Sequence, residues 1–442
     1  MLRDILVEIL DMKIMNKNQG YVLDSVYPMF FYKEIQPIWL NTIIQFQGFK
    51  TPNILETFSY LELGCATGIN LIVAAIHHPH ANFVGVDFNL VHIETANRFA
   101  KHLGIKNVTF IHSDFEHFLR TNQQAFDYIV NHGTYTWIAS QQQHTLLEIV
   151  ANSLKEGGVF YLHYMCSPGS LALDPIQKLL QLVDQHTEVT SEHSIEIGKK
   201  LFHDLNQAGT FINHPKIDAI IKTLDSPNAA LAHEFLTEHW KPLYSVDVHR
   251  QVFQTTKSTY IASAQLCENL DSISIPLNMQ QMIKSIQAPA LKEYLKDVAR
   301  EAKQREDIFL KNPQALHKTE HLQVLGKLSF KLQSNISVNG IHTFKTAIGQ
   351  IQASEQVISV LLDLLSKQDA DVKTLSQLSV FKDNFMFLIE TIFLMMNEQY
   401  LLPILNPIEQ INQDLVQQFN TLMQEKGIRL KLIPECGTAI EI

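Results

Sequence analysis

A chain of 442 residues that is 46% hydrophobic carries enough apolar surface for two or three folded domains. Its formal charge of −10 argues against a nonspecific nucleic-acid binder, which needs a basic face. Cys65, Cys166, Cys267 and Cys436 stand far apart, without metal-ligand or redox spacing, and read as reduced thiols of a cytosolic protein with no metal site.

The first predicted element is helical: Leu2, Ile5, Leu6, Ile9 and Leu10 recur at helical spacing within Met1 to Lys17. Asp4, Glu8 and Asp11 interrupt this stretch, so it is no signal-peptide core, and no apolar run reaches the length of a membrane span. From residue 54 to about 165, strand and helix signals alternate. The strands are Phe58–Leu63, Asn82–Asp87, Val108–His112, Tyr128–Asn131 and Val159–Tyr164. The helices are Ile69–Ile76, Leu90–Leu103, Asp114–Leu119 and Gln141–Leu154. This repetition predicts an α/β fold of the Rossmann type, a parallel sheet with helices on both faces. Lys155-Glu156-Gly157-Gly158 is a turn feeding the fifth strand.

After Ser167-Pro168-Gly169 the pattern becomes mostly helical to about residue 300, with a helix start at Asp174-Pro175. Residues 296–316 are charged and broken by Asn312-Pro313, which suggests a second boundary. The remainder reads as a small helical module, a winged helix being one interpretation, with a buried apolar helix at Phe385–Met396. Three domains are expected: 1–170 binding the cofactor, with an N-terminal lid; 171–310, a helical linker and middle domain; and 311–442. From His317 onward ten basic residues face thirteen acidic ones, which suits contact with protein better than with phosphate.

The chemistry centres on Glu62-Leu63-Gly64-Cys65-Ala66-Thr67-Gly68, a strand end, a glycine turn and a helix start. Such a turn brings bare amides and a helix N-terminus against a ligand. A dinucleotide fingerprint wants a middle glycine, which Ala66 replaces. The pattern suits S-adenosylmethionine instead. Glu62 would engage the ammonium of its amino-acid end, while the amides of Gly64, Cys65, Ala66 and Gly68 and the helix dipole favour its carboxylate. Asp87 would take the ribose hydroxyls, with Phe88 beside it, and Asp114 and Phe115 the adenine. Asn131-His132-Gly133 ends the fourth strand, where the transferable methyl belongs. Tyr27 and Tyr32 are assigned to the lid.

Three further stretches carry a resemblance: Phe126-Asp127-Tyr128-Ile129-Val130-Asn131-His132-Gly133-Thr134-Tyr135-Thr136-Trp137, then Leu154 to Tyr164 with Pro168-Gly169, then Leu231 to Leu236 with Trp240-Lys241-Pro242-Leu243-Tyr244. With the lead-in at Gly20 to Glu34, they resemble class I S-adenosylmethionine-dependent methyltransferases carrying a methyltransferase regulatory domain. The chain departs from that pattern at Met165, Cys166 and Ser170. The family includes bacterial protein lysine methyltransferases acting on outer-membrane proteins, and these are dimeric. The resemblance therefore implies a cytoplasmic enzyme, a protein substrate, a lysine acceptor and a homodimer, with neither nucleic acid nor membrane insertion favoured. Small-molecule or RNA acceptors, and a non-enzymatic regulator keeping the fold, are the alternatives. His132, Tyr135 and Trp137 are the candidate catalytic residues, each with a structural alternative. His233-Glu234 lacks the second histidine of a zinc motif, since Thr237 stands there, and His233 reads as structural.

Overall fold

The computed structural model describes residues 17, 18, 20–211, 213, 217–338, 340–405 and 411–442; the helical spacing of Leu2 to Leu10 lies outside them. A seven-stranded sheet organises the described chain. Its strands are β1 (Ser59–Leu63), β2 (Asn82–Asp87), β3 (Val108–His112), β4 (Phe126–Asn131), β5 (Leu154–Met165), β6 (Ser258–Ser263) and β7 (Gln304–Lys311). They lie in the order 3-2-1-4-5-7-6, with β7 antiparallel to both neighbours and the other six parallel to one another. The Rossmann-type α/β expectation is met.

Strands buried on both faces place alternate residues in separate cores. Tyr60, Phe83, Phe110, Tyr128, Val130 and Tyr161 enter one core with helices α1 (Pro37–Phe46), α2 (Ile69–His77) and α3 (Leu90–His102). Leu61, Leu63, Val84, Val86, Ile129, Phe160 and Leu162 enter the other with α4 (Phe115–Thr121) and α5 (Ser140–Ser153). Two phenols pin α1 and the turn before it to the sheet: Tyr60 donates to the Ile35 carbonyl (2.6 Å) and Tyr128 to Asn41 Oδ1 (2.6 Å). A third core joins Trp137, shortly after β4, and Met165, the last residue of β5, to α6 (Asp174–His186), α7 (Ser191–Gln207), α8 (Ile217–Leu224) and α9 (Asn228–Phe235). These four helices therefore pack beside the carboxyl ends of the central strands.

Residues 170–300 were expected to be mostly helical and 296–316 to be a charged boundary, yet β6 and β7 fall in these stretches and complete the sheet. The sheet thus crosses the boundary drawn at residue 170. The charges of β7 hide its strand character because they are buried in pairs. The Arg305 guanidinium donates to Asp297 (2.6 Å), Glu293 (2.8 Å) and Asp307 (2.9 Å) on one face. Glu306 points to the opposite face, as period-two alternation requires.

The C-terminal region packs its helices Glu355–Leu365, Phe385–Asn397 and Gln413–Glu425 into the same core as α1 and α2. It also contains short antiparallel strands, among them Thr343–Thr346 with Gly349–Gln352 and Leu430–Ile433 with Thr438–Glu441, in the module read as helical or as a winged helix. Four-residue strands are too short to display a period.

Candidate active site

The turn after β1 is held open by its own backbone. Gly64 and Gly68 sit at φ +77° and +74° in the left-handed region, and Ala66 joins them at +46°. A Cβ on Gly64 would meet Thr134 Oγ1 at 2.4 Å, and one on Gly68 would meet the Phe110 ring at 2.4 Å. The Gly64 and Cys65 amides donate to the Val86 carbonyl (2.8 and 3.1 Å), locking the turn to the end of β2. Asp87 adds a second tie: Oδ2 accepts from the Ala66 amide (2.9 Å) and Oδ1 from the Asn89 amide (2.9 Å). His92 Nδ1 also stands 3.4 Å from Oδ1, and since a carboxylate has roughly four acceptor positions, Oδ2 keeps one for a ribose hydroxyl.

These elements form one wall of a cleft of about 1060 Å³, measured to its open mouth. Of the residues singled out by sequence, Glu62, Gly64, Cys65, Ala66, Asp87, Phe88, Asp114, Phe115, Tyr27, Tyr32 and His132 line it. Asp114 Oδ1 also caps α4 by accepting from the His117 amide (2.7 Å). The lid segment closes the opposite wall. The Tyr32 amide donates to Asn70 Oδ1 (2.9 Å), the Tyr27 amide to His92 Nε2 (3.2 Å), and the two hydroxyls lie 3.3 Å apart.

Four expected site residues lie off this cleft. Gly68 serves backbone geometry at the start of α2. Asn131 is fully buried and donates to the Leu63 carbonyl (2.7 Å), bracing β4 against β1. Tyr135 turns into the second core, where its hydroxyl reaches Gln251 Oε1 at 3.3 Å, and it lines neither cleft. The short helical turn Tyr135–Trp137 causes this, because it sends the two rings in different directions. Trp137 donates to the Glu234 carbonyl (3.0 Å) and lines a second cleft instead.

That second cleft, about 770 Å³, shares Tyr21, Tyr27, Tyr32, His132 and Gly133 with the first. Sequence reading did not foresee it. Its walls add Glu34, Glu234 and Glu306 to the rings of Trp137, His163 and His233. Burial pushes Glu234 up to about 7; burial, then the nearby Glu34 carboxylate, pushes Glu306 up to about 8. His132 forms the partition between the clefts. Its ring stacks on Tyr32 (3.8 Å between centroids) and on His163 (4.3 Å), and its Nδ1 lies 2.8 Å from the Tyr161 hydroxyl. Burial, then His163, drives its pKa well below the ordinary value, so the ring is neutral. His233 holds the Ser25 carbonyl through Nε2 (3.0 Å). Glu34 and Glu234 stood beside residues noticed in the sequence, but nothing about Glu306 in a charged stretch pointed to a cleft.

The first cleft suits S-adenosylmethionine on its own geometry. Glu62 is buried with Oε2 lacking any hydrogen-bond partner among the described residues, and burial raises its pKa to about 8. Such an acid calls for a cationic donor, and the ammonium of the ligand's amino-acid end supplies one. The fold and the cleft define a class I S-adenosylmethionine-dependent methyltransferase. Residues 55–211 match the methyltransferase domain family and residues 227–311 the predicted methyltransferase regulatory domain. The chain belongs to the methyltransferases that carry this regulatory domain.

Among its relatives is uncharacterized protein sll1526 of Synechocystis, 28% identical over 420 residues, covering 94% of this chain and 82% of that one. Uncharacterized protein RP028 of Rickettsia prowazekii is 30% identical over 184 residues, covering 41% of this chain and 72% of that protein. Among solved structures, PKMT2 from Rickettsia typhi in complex with AdoHcy shares the fold at a TM-score of 0.65. That match has 19% identity and covers 83% of this chain and 76% of that one. Among the described residues no helix is long and apolar enough to cross a membrane.

Proposed function

We propose that the methyl acceptor is an amine of a protein, a lysine side chain. The observation that carries this reading is the second cleft, in which Glu34, Glu234 and Glu306 and several aromatic rings surround a space sharing Tyr32 and His132 with the cofactor cleft. Buried acids favour a cationic guest, and ring faces favour it further. A guanine or a hydroxyl acceptor has no use for them.

S-adenosylmethionine supplies a methyl group already activated by its sulfonium. The protein therefore aligns the nucleophile and excludes water. Glu62, Asp87 and Asp114 would hold the donor; the Gly64, Cys65 and Ala66 amides, expected from sequence to meet its carboxylate, are spent on Val86 and Asp87 and shape the turn instead. Tyr32 and His132 narrow the passage between the clefts, and Trp137, through its ring face, steadies the incoming cation. Presenting a neutral amine at pH 7 from a solution pKa near 10.4 costs roughly 4–5 kcal/mol. Desolvation of the guest in this cleft lowers that cost and works against the pull of the acids and rings on the ammonium. A cytosolic location, supported by four buried free cysteines, and the homodimer belong to the same proposal.

Transfer of a radiolabelled methyl group into cell lysate, separated into protein, RNA and small molecules, tests it. Label is expected in protein and, after hydrolysis, on methylated lysine. Label confined to RNA overturns the proposal. Matches to tRNA (guanine-N(7)-)-methyltransferases favour that rival, though the match to the Rubrobacter xylanophilus enzyme covers only 15% of this chain.

A further inference from the structure

Glu306 stands out among the acids of the second cleft. It lies on β7, opposite His163 of β5, with its side chain toward the cleft that adjoins the methyl donor's site. Oε1 accepts from the Gln265 amide (2.8 Å), which fixes the carboxyl plane. Oε2 is buried and, among the described residues, meets no hydrogen-bond partner of ordinary geometry, with the Tyr161 phenol close to the carboxyl. A carboxyl held through one oxygen, with the other left without a partner in the wall of the second cleft, is arranged to exchange a proton with a guest.

Resting on the amine-acceptor reading, we infer that Glu306 is the general base that takes the proton from the acceptor ammonium. The acceptor N–H bond breaks and a Glu306 O–H bond forms. The nitrogen keeps the electron pair, which then makes the new N–C bond as the C–S bond breaks and its pair goes to sulfur. The product leaves as a methylated ammonium, and Glu306 returns its proton to water. Atoms and charge balance: one proton is released per methyl transferred.

Proton transfer between a carboxylate and an ammonium is uphill in water by about six pKa units. Enclosure works on both partners, raising the acid and lowering the amine. Glu306, pushed up to about 8, has covered much of that gap. The groups around it act in both directions. Glu34 and Glu268 raise it, Lys33 and the Gln265 amide lower it, and the Tyr161 phenol is itself raised by burial and by Glu306. Glu234, Tyr32, His132, His163 and His233 line the same cleft, and burial holds these three histidines below their ordinary pKa.

The test follows methylation of n-butylamine, the lysine side-chain amine alone, by full-length protein from pH 6 to 10. The wild-type rate is expected to level off above about pH 8. Glu306→Gln is expected to be slower by roughly 10²–10⁴ at pH 7 and to climb tenfold per pH unit, tracking the free amine. Glu306→Asp, which keeps a carboxylate, is expected to be slower yet retain the plateau. Unchanged AdoHcy affinity in calorimetry shows that the variants are folded. An infrared titration of the AdoHcy-loaded protein, in which Glu62 is engaged, should show a carboxyl band near pH 8 that Glu306→Gln lacks. If Glu306→Gln keeps both wild-type rate and plateau, the base is elsewhere and the amine reading stands. If the wild type methylates lysate RNA and not butylamine at any pH, both fall together.

Discussion

Among the described residues the one donor to Glu62 is Asn70 Nδ2, at 3.5 Å, too long to satisfy a buried carboxylate. Its pKa near 8 means that the free protein holds this carboxyl protonated at pH 7. Engaging the ligand's ammonium requires the carboxylate, so binding must expel a proton. Affinity for S-adenosylmethionine is therefore expected to rise with pH from 6 to 8 and then level off. Calorimetry at pH 7 in buffers of different ionisation enthalpy should register close to one proton released, and Glu62→Gln should release none through this group. Asp87→Ala removes the tie to the Ala66 amide as well as the ribose acceptor. A charge-assisted hydrogen bond of about 1.5–3 kcal/mol sets the expected loss at roughly 10- to 150-fold in cofactor affinity. Tyr135→Phe is expected to leave methyl transfer unchanged, since the hydroxyl meets Gln251 in the second core and no cleft. A fall in turnover at constant affinity would contradict that placement.

The turn between β1 and α2 is the element on which the cofactor cleft depends. Gly64→Ala places a Cβ in the left-handed region and against Thr134. The backbone conformation alone costs roughly 1–2 kcal/mol. A lower denaturation midpoint together with weaker cofactor binding is the expected outcome. Adding Thr134→Ser, which keeps the hydroxyl, should relieve little. The five strands from Ser59 to Met165 and the turn were legible in the sequence because they pair apolar runs with glycine punctuation at regular spacing. The cofactor wall was legible for the same reason: its acids stand at strand ends, where topology gathers them. The second cleft was not. Its acids come from three distant places, residues 34, 234 and 306, and only the packing of the lid, α9 and β7 brings them together. β7 looked like a linker because Arg305, Glu306 and Asp307 read as solvated charge, whereas each is buried.

Across the whole molecule, two sets of buried titrating groups oppose one another. His77, His78, His132, His163 and His233 are held below their ordinary pKa by burial. They bind fewer protons folded than unfolded, so their contribution is present above about 6.5 and is lost as pH falls. Glu62, Glu234, Glu268 and Glu306 are raised by burial, so the stability they favour is present below about 4.5 and is lost as pH rises through their folded values. The five histidines outnumber these four acids where the two ranges overlap. The ligand-free protein should therefore melt highest near pH 6.5 and lower on either side. Glu306→Gln should flatten the alkaline limb, and a melting temperature that kept rising to pH 8 would contradict this assignment. The strand order carries a consequence for synthesis. β5 finds its antiparallel neighbour only after Gln304 emerges, about 140 residues behind Met165. At about 5–20 residues per second, the inner edge of β5 waits roughly 7–28 s on the ribosome with its amides unpaired. An open strand edge of that duration invites intermolecular pairing. Nascent chains halted before residue 304 should accordingly recruit chaperones or aggregate, and release from that state should coincide with the arrival of the strand that also delivers Glu306.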